Sequence, residues 1–130
     1  MKSQKNNFVS YIQNKQFGNY YLPARFQYVI LRDYYNKHNQ IFNLPDGEPI
    51  FTNTNIRLRS LVEKLNSNNS LVVLSVSVFP LKTNIRKNLI KKLLKKKIKT
   101  HFIFENIIAS SKNDYDKVND LIKLNDFINR

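Results

Sequence analysis

Cysteine does not occur in this sequence, and glycine occurs only twice, at Gly18 and Gly47. The first absence excludes disulfides, a thiolate nucleophile and cysteine metal sites, and is compatible with a reducing cytoplasm. The second excludes a Gly-x-Gly-x-x-Gly dinucleotide fingerprint and a glycine-rich phosphate loop, so no cofactor is expected. Histidine is nearly as scarce: His38 and His101 stand alone, and neither belongs to a metal-binding spacing. No stretch approaches the roughly 18 apolar residues of a membrane span. The N-terminus leads into only a short apolar segment rather than a signal-peptide core, so a cytoplasmic protein is expected. Acidic residues are also few, nine against 22 basic, for a formal charge of +13. That balance suits a polyanionic partner, but the abundance of lysine, asparagine and isoleucine also fits compositional drift.

What is present is the pattern of one α/β domain over residues 1–130, with 1–6 expected to be flexible. The organising stretch is Leu71 to Ser77, apolar on both faces over its first four residues and rich in β-branched side chains. Such a run reads as a central strand covered from above and below, the usual setting of a parallel strand. Around it, Asn7 to Ile12 reads as a first strand and Arg25 to Lys37, following Pro23, as a helix with Phe26, Val29, Ile30 and Tyr34 at spacings of three and four. Gln40 to Leu44 reads as a second strand ended by the turn Pro45-Asp46-Gly47. A second helix comes next, capped by Thr54 or Asn55, with its apolar positions Ile56, Leu58, Leu61, Val62 and Leu65 mostly on one side. Thr83 or Asn84 caps a third helix whose inward stripe includes Leu89, Ile90 and Leu93 and whose remainder, Arg86 and the lysines, faces solvent. Thr100 to Glu105 reads as the fourth strand and Ser110 or Ser111 as the cap of a fourth helix.

Right-handed crossovers turn this order into a three-layer, flavodoxin-like or resolvase-like domain. Its sheet is expected to have four parallel strands in the order 2-1-3-4, with helices on both faces. Ligands of such sheets bind beyond the carboxyl ends of the strands, where the order reverses between strands one and three. The loop carrying Lys15, the Pro45 to Glu48 turn, the exit of strand three at Ser77 and Phe79, Glu105, and Arg25 at the start of helix one should meet there. Arg25 offers a planar fork for a carboxylate or phosphate. Glu48 and Glu105 are the candidate acid and base, because burial of one would raise its pKa. Phe79 is either a ring for stacking or a lid on the core, and Ser77 either a hydroxyl at the mouth or strand-end filler. His101, at the start of a strand, reads as structural. The polybasic run Lys91 to Lys99 lacks the interleaved aromatics of a nucleic-acid surface, so nucleic acid is not the expected partner.

Two families are resembled by these residues. Over about residues 7 to 108 the pattern resembles the catalytic domain of resolvase/invertase serine recombinases. The nucleophilic serine has no counterpart where this chain reads Gln13-Asn14-Lys15, and Phe79-Pro80-Leu81-Lys82-Thr83 replaces the arginine signature. A closer resemblance, over about 11 to 124, is to the sporadic carbohydrate cluster proteins of bacterial surface-polysaccharide gene clusters. It rests on Pro23, Arg25 and Gln27, on Leu31-Arg32-Asp33-Tyr34, on Leu44-Pro45-Asp46-Gly47-Glu48, on Ser77-Val78-Phe79-Pro80-Leu81 and on Thr100-His101-Phe102-Ile103-Phe104-Glu105. That resemblance implies a role in capsule or lipopolysaccharide assembly and adds Gln27 to the candidate ligand-binding set.

The expectation is therefore a protein that binds or modifies an anionic or nucleotide-linked sugar, whether or not it is a catalyst. A non-catalytic module docking a protein of the same pathway, or a resolvase-like nucleic-acid-binding domain, are the alternatives. A dimer is the expected oligomer.

Overall fold

The computed structural model describes residues 7–14, 17, 21–48 and 55–128. Lys15, Thr54 and the Glu48 side chain lie outside the described residues, as do residues 1–6. Strand β1 (Asn7–Gln13) is followed by α1 (Ala24–Lys37), β2 (Asp46–Glu48), α2 (Ile56–Lys64) and β3 (Asn69–Val73). A 3-10 turn (Val76–Val78), α3 (Thr83–Lys95), β4 (Lys99–Phe102), β5 (Ile107–Ala109) and α4 (Lys112–Ile128) complete the chain.

The sheet order is β2-β1-β3-β4-β5. β1 runs parallel to β2 and β3, and β3 parallel to β4. The central position of β3 explains its composition, since Leu71, Val72, Val73 and Leu74 are all fully buried and a strand covered on both faces has no polar side to present. The sheet has five strands rather than the expected four, and it is not wholly parallel. The stretch expected to be one strand to Glu105 ends at Phe102. It turns over Ile103–Asn106, with Asn106 at a φ of 57°, and returns as antiparallel β5, pairing Thr100 with Ala109 and Phe102 with Ile107.

Side-chain alternation assigns the layers. Ser10, Val72 and His101 are in register on one face, and Val9, Leu71 and Thr100 on the other. Tyr35 Oη donates to Ser10 Oγ at 3.1 Å, which seats α1 on the first face. The Thr100 and Tyr115 hydroxyls, 2.8 Å apart, seat α4 on the second. The amino end of α2 joins α4 there through Asn55 Nδ2, which donates to Tyr11 Oη at 3.3 Å. α3 lies between them, Lys96 just past its end donating through Nζ to the Val62, Glu63 and Leu65 carbonyls of the α2 end and its Arg86 Nε donating to Asn119 Oδ1 of α4. This is the distribution right-handed crossovers require: the chain moves one way along the sheet for α1 and the other way for α2 and α3.

Two element boundaries differ from expectation, each for a local reason. The second strand is not Gln40 to Leu44 but Asp46–Glu48, the residues read as a turn. Gln40 Oε1 accepts the Phe8 N–H at 3.2 Å, so a side chain occupies the edge of β1 that a longer partner strand would pair. Phe42 anchors the segment against Tyr35, ring centroids 5.2 Å apart. Gly47 eases the close pairing, because a Cβ there would lie 3.2 Å from Asn14 Nδ2, which would have to shift by a few tenths of an ångström. The third strand stops at Val73 rather than Ser77, because Ser75 Oγ accepts the Ser77 N–H at 3.1 Å and winds Val76–Val78 into a 3-10 turn.

Caps divide likewise. Ser111 Oγ accepts the Asp114 N–H at 3.3 Å, while Asp114 Oδ2 accepts the Ser110 and Ser111 N–H groups at 3.0 and 3.2 Å. This reciprocal box starts α4 as expected. Asn55 precedes α2 at a φ of 55° without capping it, since its amide is used inside the protein. α3 starts from Lys82 with no side-chain cap, and Thr83 is already helical.

Candidate functional site

Two hydrogen-bonded groups meet at the carboxyl end of the sheet, joined by the 3-10 turn that leaves β3. The first holds the start of the turn. Glu105, in the β4–β5 turn, accepts the Ser75 hydroxyl at 2.7 Å through Oε2 and the Val76 N–H at 3.1 Å through Oε1. Ser77 belongs to the same group, with its N–H on Ser75 and its Oγ accepting from Asn125 Nδ2 of α4 at 3.5 Å. The structure places Glu105 and Ser77 in one hydrogen-bonded group through Ser75, with Glu105 in a turn and not at a strand end.

The second group holds the end of the turn. Val78 O accepts from Asn55 Nδ2 at 2.9 Å and from Gln13 Nε2 at 3.4 Å. Gln13 Nε2 also donates to Tyr11 Oη at 2.9 Å. Behind it, Gln27 of α1 donates through Nε2 to Gln13 O at 2.6 Å and to Leu22 O at 2.7 Å. Gln27 is fully buried and Gln13 is 5% exposed. Both amide nitrogens are committed to carbonyl or hydroxyl acceptors, which fixes which way each amide points. Among the described residues, the side-chain oxygens Gln13 Oε1 and Gln27 Oε1 are buried and find no hydrogen-bond partner. An orphaned buried acceptor costs about 1–3 kcal/mol. The two lie within one linked group, Gln27 bonding the backbone of Gln13.

Phe79 requires a correction. It is 2% exposed and packs edge-on against Phe102, centroids 5.2 Å apart, so its ring belongs to the core and is not offered to a ligand. Arg25 is exposed in the first turn of α1 with its guanidinium over the Phe26 ring at 5.1 Å. No described contact ties it to Glu105 or Ser77. Glu48 ends β2 in register with Gln13, which puts its backbone beside the amide group. The residues missed from sequence are Gln13, Tyr11 and Asn55. The available signal was phase, because Gln13 continues the Val9–Tyr11 face of β1 inward and is therefore a buried amide rather than the first residue of a loop.

His101 is structural, as expected, and its setting is specific. Nδ1 lies 2.6 Å from Tyr34 Oη, and the ring sits against Phe8 and His38 at 4.9 and 5.8 Å between centroids. Burial, reinforced by the charges of His38 and Lys99, pushes its pKa from 6.5 down to about 4. The unfolded chain takes up a proton near pH 6.5 that the folded protein refuses until about 4. Stability is therefore complete above about pH 6.5 and falls on acidification through that window, by on the order of 2 kcal/mol. Urea unfolding of the wild type and of His101→Gln across this range checks it; the variant should lose most of the slope, and an unchanged slope would assign the effect elsewhere.

No protein-family model and no curated protein matches the chain. Among the described residues no three His, Asp or Glu side chains converge as a metal site, and no helix is long and apolar enough to cross a membrane. The class that the fold and the site define is a mixed α/β domain with a five-stranded sheet, four helices and an amide-lined carboxyl edge.

Proposed function

We propose that the carboxyl edge of the sheet binds an anionic or nucleotide-linked sugar, and that the protein serves the assembly of bacterial surface carbohydrate. The observation that carries this reading is the pair of orphaned oxygens on Gln13 and Gln27. Acceptors held in place by their own amide nitrogens are matched by hydroxyl donors, and a sugar presents several. Gln27 is also one of the residues on which the resemblance to sporadic carbohydrate cluster proteins rests. The anionic part of the ligand falls to Arg25, at the start of a helix with no acidic residue in its first turn. Lys15, in the sequence after β1, and Glu48, the last residue of β2, are the further candidates for this ligand. Both Glu105 oxygens already accept hydrogen bonds, so the geometry favours Glu105 as the holder of the 3-10 turn and favours binding over acid–base catalysis.

Isothermal titration with a panel of nucleotide sugars and sugar phosphates tests the reading. A ligand should bind the wild type, and Gln13→Leu and Arg25→Ala should each weaken it about tenfold, the worth of one hydrogen bond to a charged or buried group. Binding indifferent to both substitutions, or no binding across the panel, removes the reading. The second reading, a module that docks a pathway protein, is favoured by Leu124 and Phe127 of α4 and Ile108 of β5, all exposed. Such a module takes up no sugar in the same titration.

A further inference from the structure

Positive charge is not spread along this chain. Residues 56–99 hold 12 of the 22 basic side chains and one of the nine acidic ones, Glu63, so eleven of the thirteen net charges fall within α2, α3 and the segments around them. Drift in composition would distribute lysine throughout, whereas α4, which comes later on the same face of the sheet, alternates Lys112, Lys117 and Lys123 with Asp114, Asp116, Asp120 and Asp126. On α3 the lysines are also ordered. Lys87, Lys91 and Lys95 are exposed and recur every four residues, forming a row with about 6 Å between successive members. Glu63 is already engaged by Lys92 across a cleft of about 210 Å³ between α2 and α3, which Arg59 also lines.

We infer that the α2–α3 layer is a docking surface for an anionic lipid bilayer. A nucleic acid would meet the same charge, but three features favour the lipid surface. The row is lysine, a hydrated point charge suited to a diffuse anionic plane, rather than the arginine fork that grips individual phosphates. Its exposed faces carry no aromatic side chain on which bases stack. Two aliphatic side chains, Ile56 and Leu81, stand 49% and 64% exposed at the amino ends of α2 and α3. A headgroup region accepts such groups, and they add apolar contact to the electrostatic attraction; a phosphate backbone gains nothing from them. Both lie at the ends of helices that begin beside the carboxyl edge of the sheet, so docking would bring that edge close to the membrane plane. The inference needs no sugar and stands whether or not one binds.

Sedimentation with vesicles containing about 30% phosphatidylglycerol in phosphatidylcholine, at about 0.1 M salt, tests it. The protein should pellet with these vesicles and not with phosphatidylcholine alone. The combined change Lys87→Ala, Lys91→Ala and Lys95→Ala should lower partitioning about 100-fold, each lysine contributing about fivefold. The matched change Lys112→Ala, Lys117→Ala and Lys123→Ala, which removes the same charge from α4, should cost less than about tenfold. Leu81→Asn should lower partitioning several-fold with charge unchanged. All these side chains are exposed, and circular dichroism confirms that each variant is folded. Equal losses from the two lysine sets, no binding to the anionic vesicles, or tighter binding to a short DNA or RNA duplex with Leu81→Asn silent would each overturn the inference.

Discussion

Phe79→Ala is expected to destabilise the protein by about 3–5 kcal/mol, the range for deleting a buried aromatic ring. The ring is buried against Phe102, and the segment carrying it cannot sink into the space left behind. Its own N–H is bonded to Val76 O at 3.1 Å. The turn before it is held at one end by Glu105 and at the other by the Asn55 and Gln13 amides on Val78 O. A site fixed at both ends relaxes little, which places the cost high in the range, since the cavity term grows with the volume that fails to collapse. Phe79→Leu keeps most of the volume and should cost only about 1–2 kcal/mol. Urea denaturation reads both values, and titration of the same variants with any sugar that binds separates a core ring from a stacking one. A core ring lowers stability and leaves affinity nearly intact in the Leu variant. Lost affinity at unchanged stability would return Phe79 to the ligand.

The same segment shows how far the sequence carries the structure. Continuous apolarity from Leu71 to Leu74 is a burial signal independent of the residues after it, and it locates the central parallel strand correctly. The end of that strand is not legible, because it is set by Ser75 and by Glu105, which lies 30 residues away and takes the N–H a longer strand would pair. The second strand is misplaced for a related reason. Pro45-Asp46-Gly47 carries strong local turn propensity, yet an edge strand of three residues is decided by its pairing with Tyr11–Gln13. The antiparallel β5 is hidden because Ile103–Asn106 contains neither glycine nor proline to announce a turn. At the candidate site, Glu105 and Ser77 can be grouped from topology alone, since the segments leaving the adjacent parallel strands β3 and β4 emerge at the same edge of the sheet. The buried amides cannot, because a glutamine at a strand end looks polar and solvated until the register shows that its face is inward.

Arg86 is the other position where local pattern misleads, and the expected result there is comparably large. The helical wheel of α3 counts it among the solvent-facing basic residues, yet it is 3% exposed. Its Nε donates to Asn119 Oδ1 at 2.8 Å, and its NH1 group donates to Pro80 O and Leu81 O at 2.9 and 3.1 Å. Burial lowers its pKa, with the Asp126 charge opposing, but a guanidinium stays charged at any working pH. The fork thus ties the loop after the 3-10 turn to α4 using neutral acceptors. Arg86→Leu leaves those three acceptors without donors, and a loss of about 2–4 kcal/mol results from the penalty for unmade buried hydrogen bonds. Arg86→Lys should recover less than half of that, because a single ammonium cannot span acceptors on two elements as a planar fork does. The neighbouring Lys87→Ala, at an exposed position one residue on, should stay within about 0.5 kcal/mol of wild type. Urea unfolding of the three variants gives the comparison. If Arg86→Leu proved as stable as Lys87→Ala, the loop would owe its position to packing alone, and the guanidinium would be free for a role at the surface.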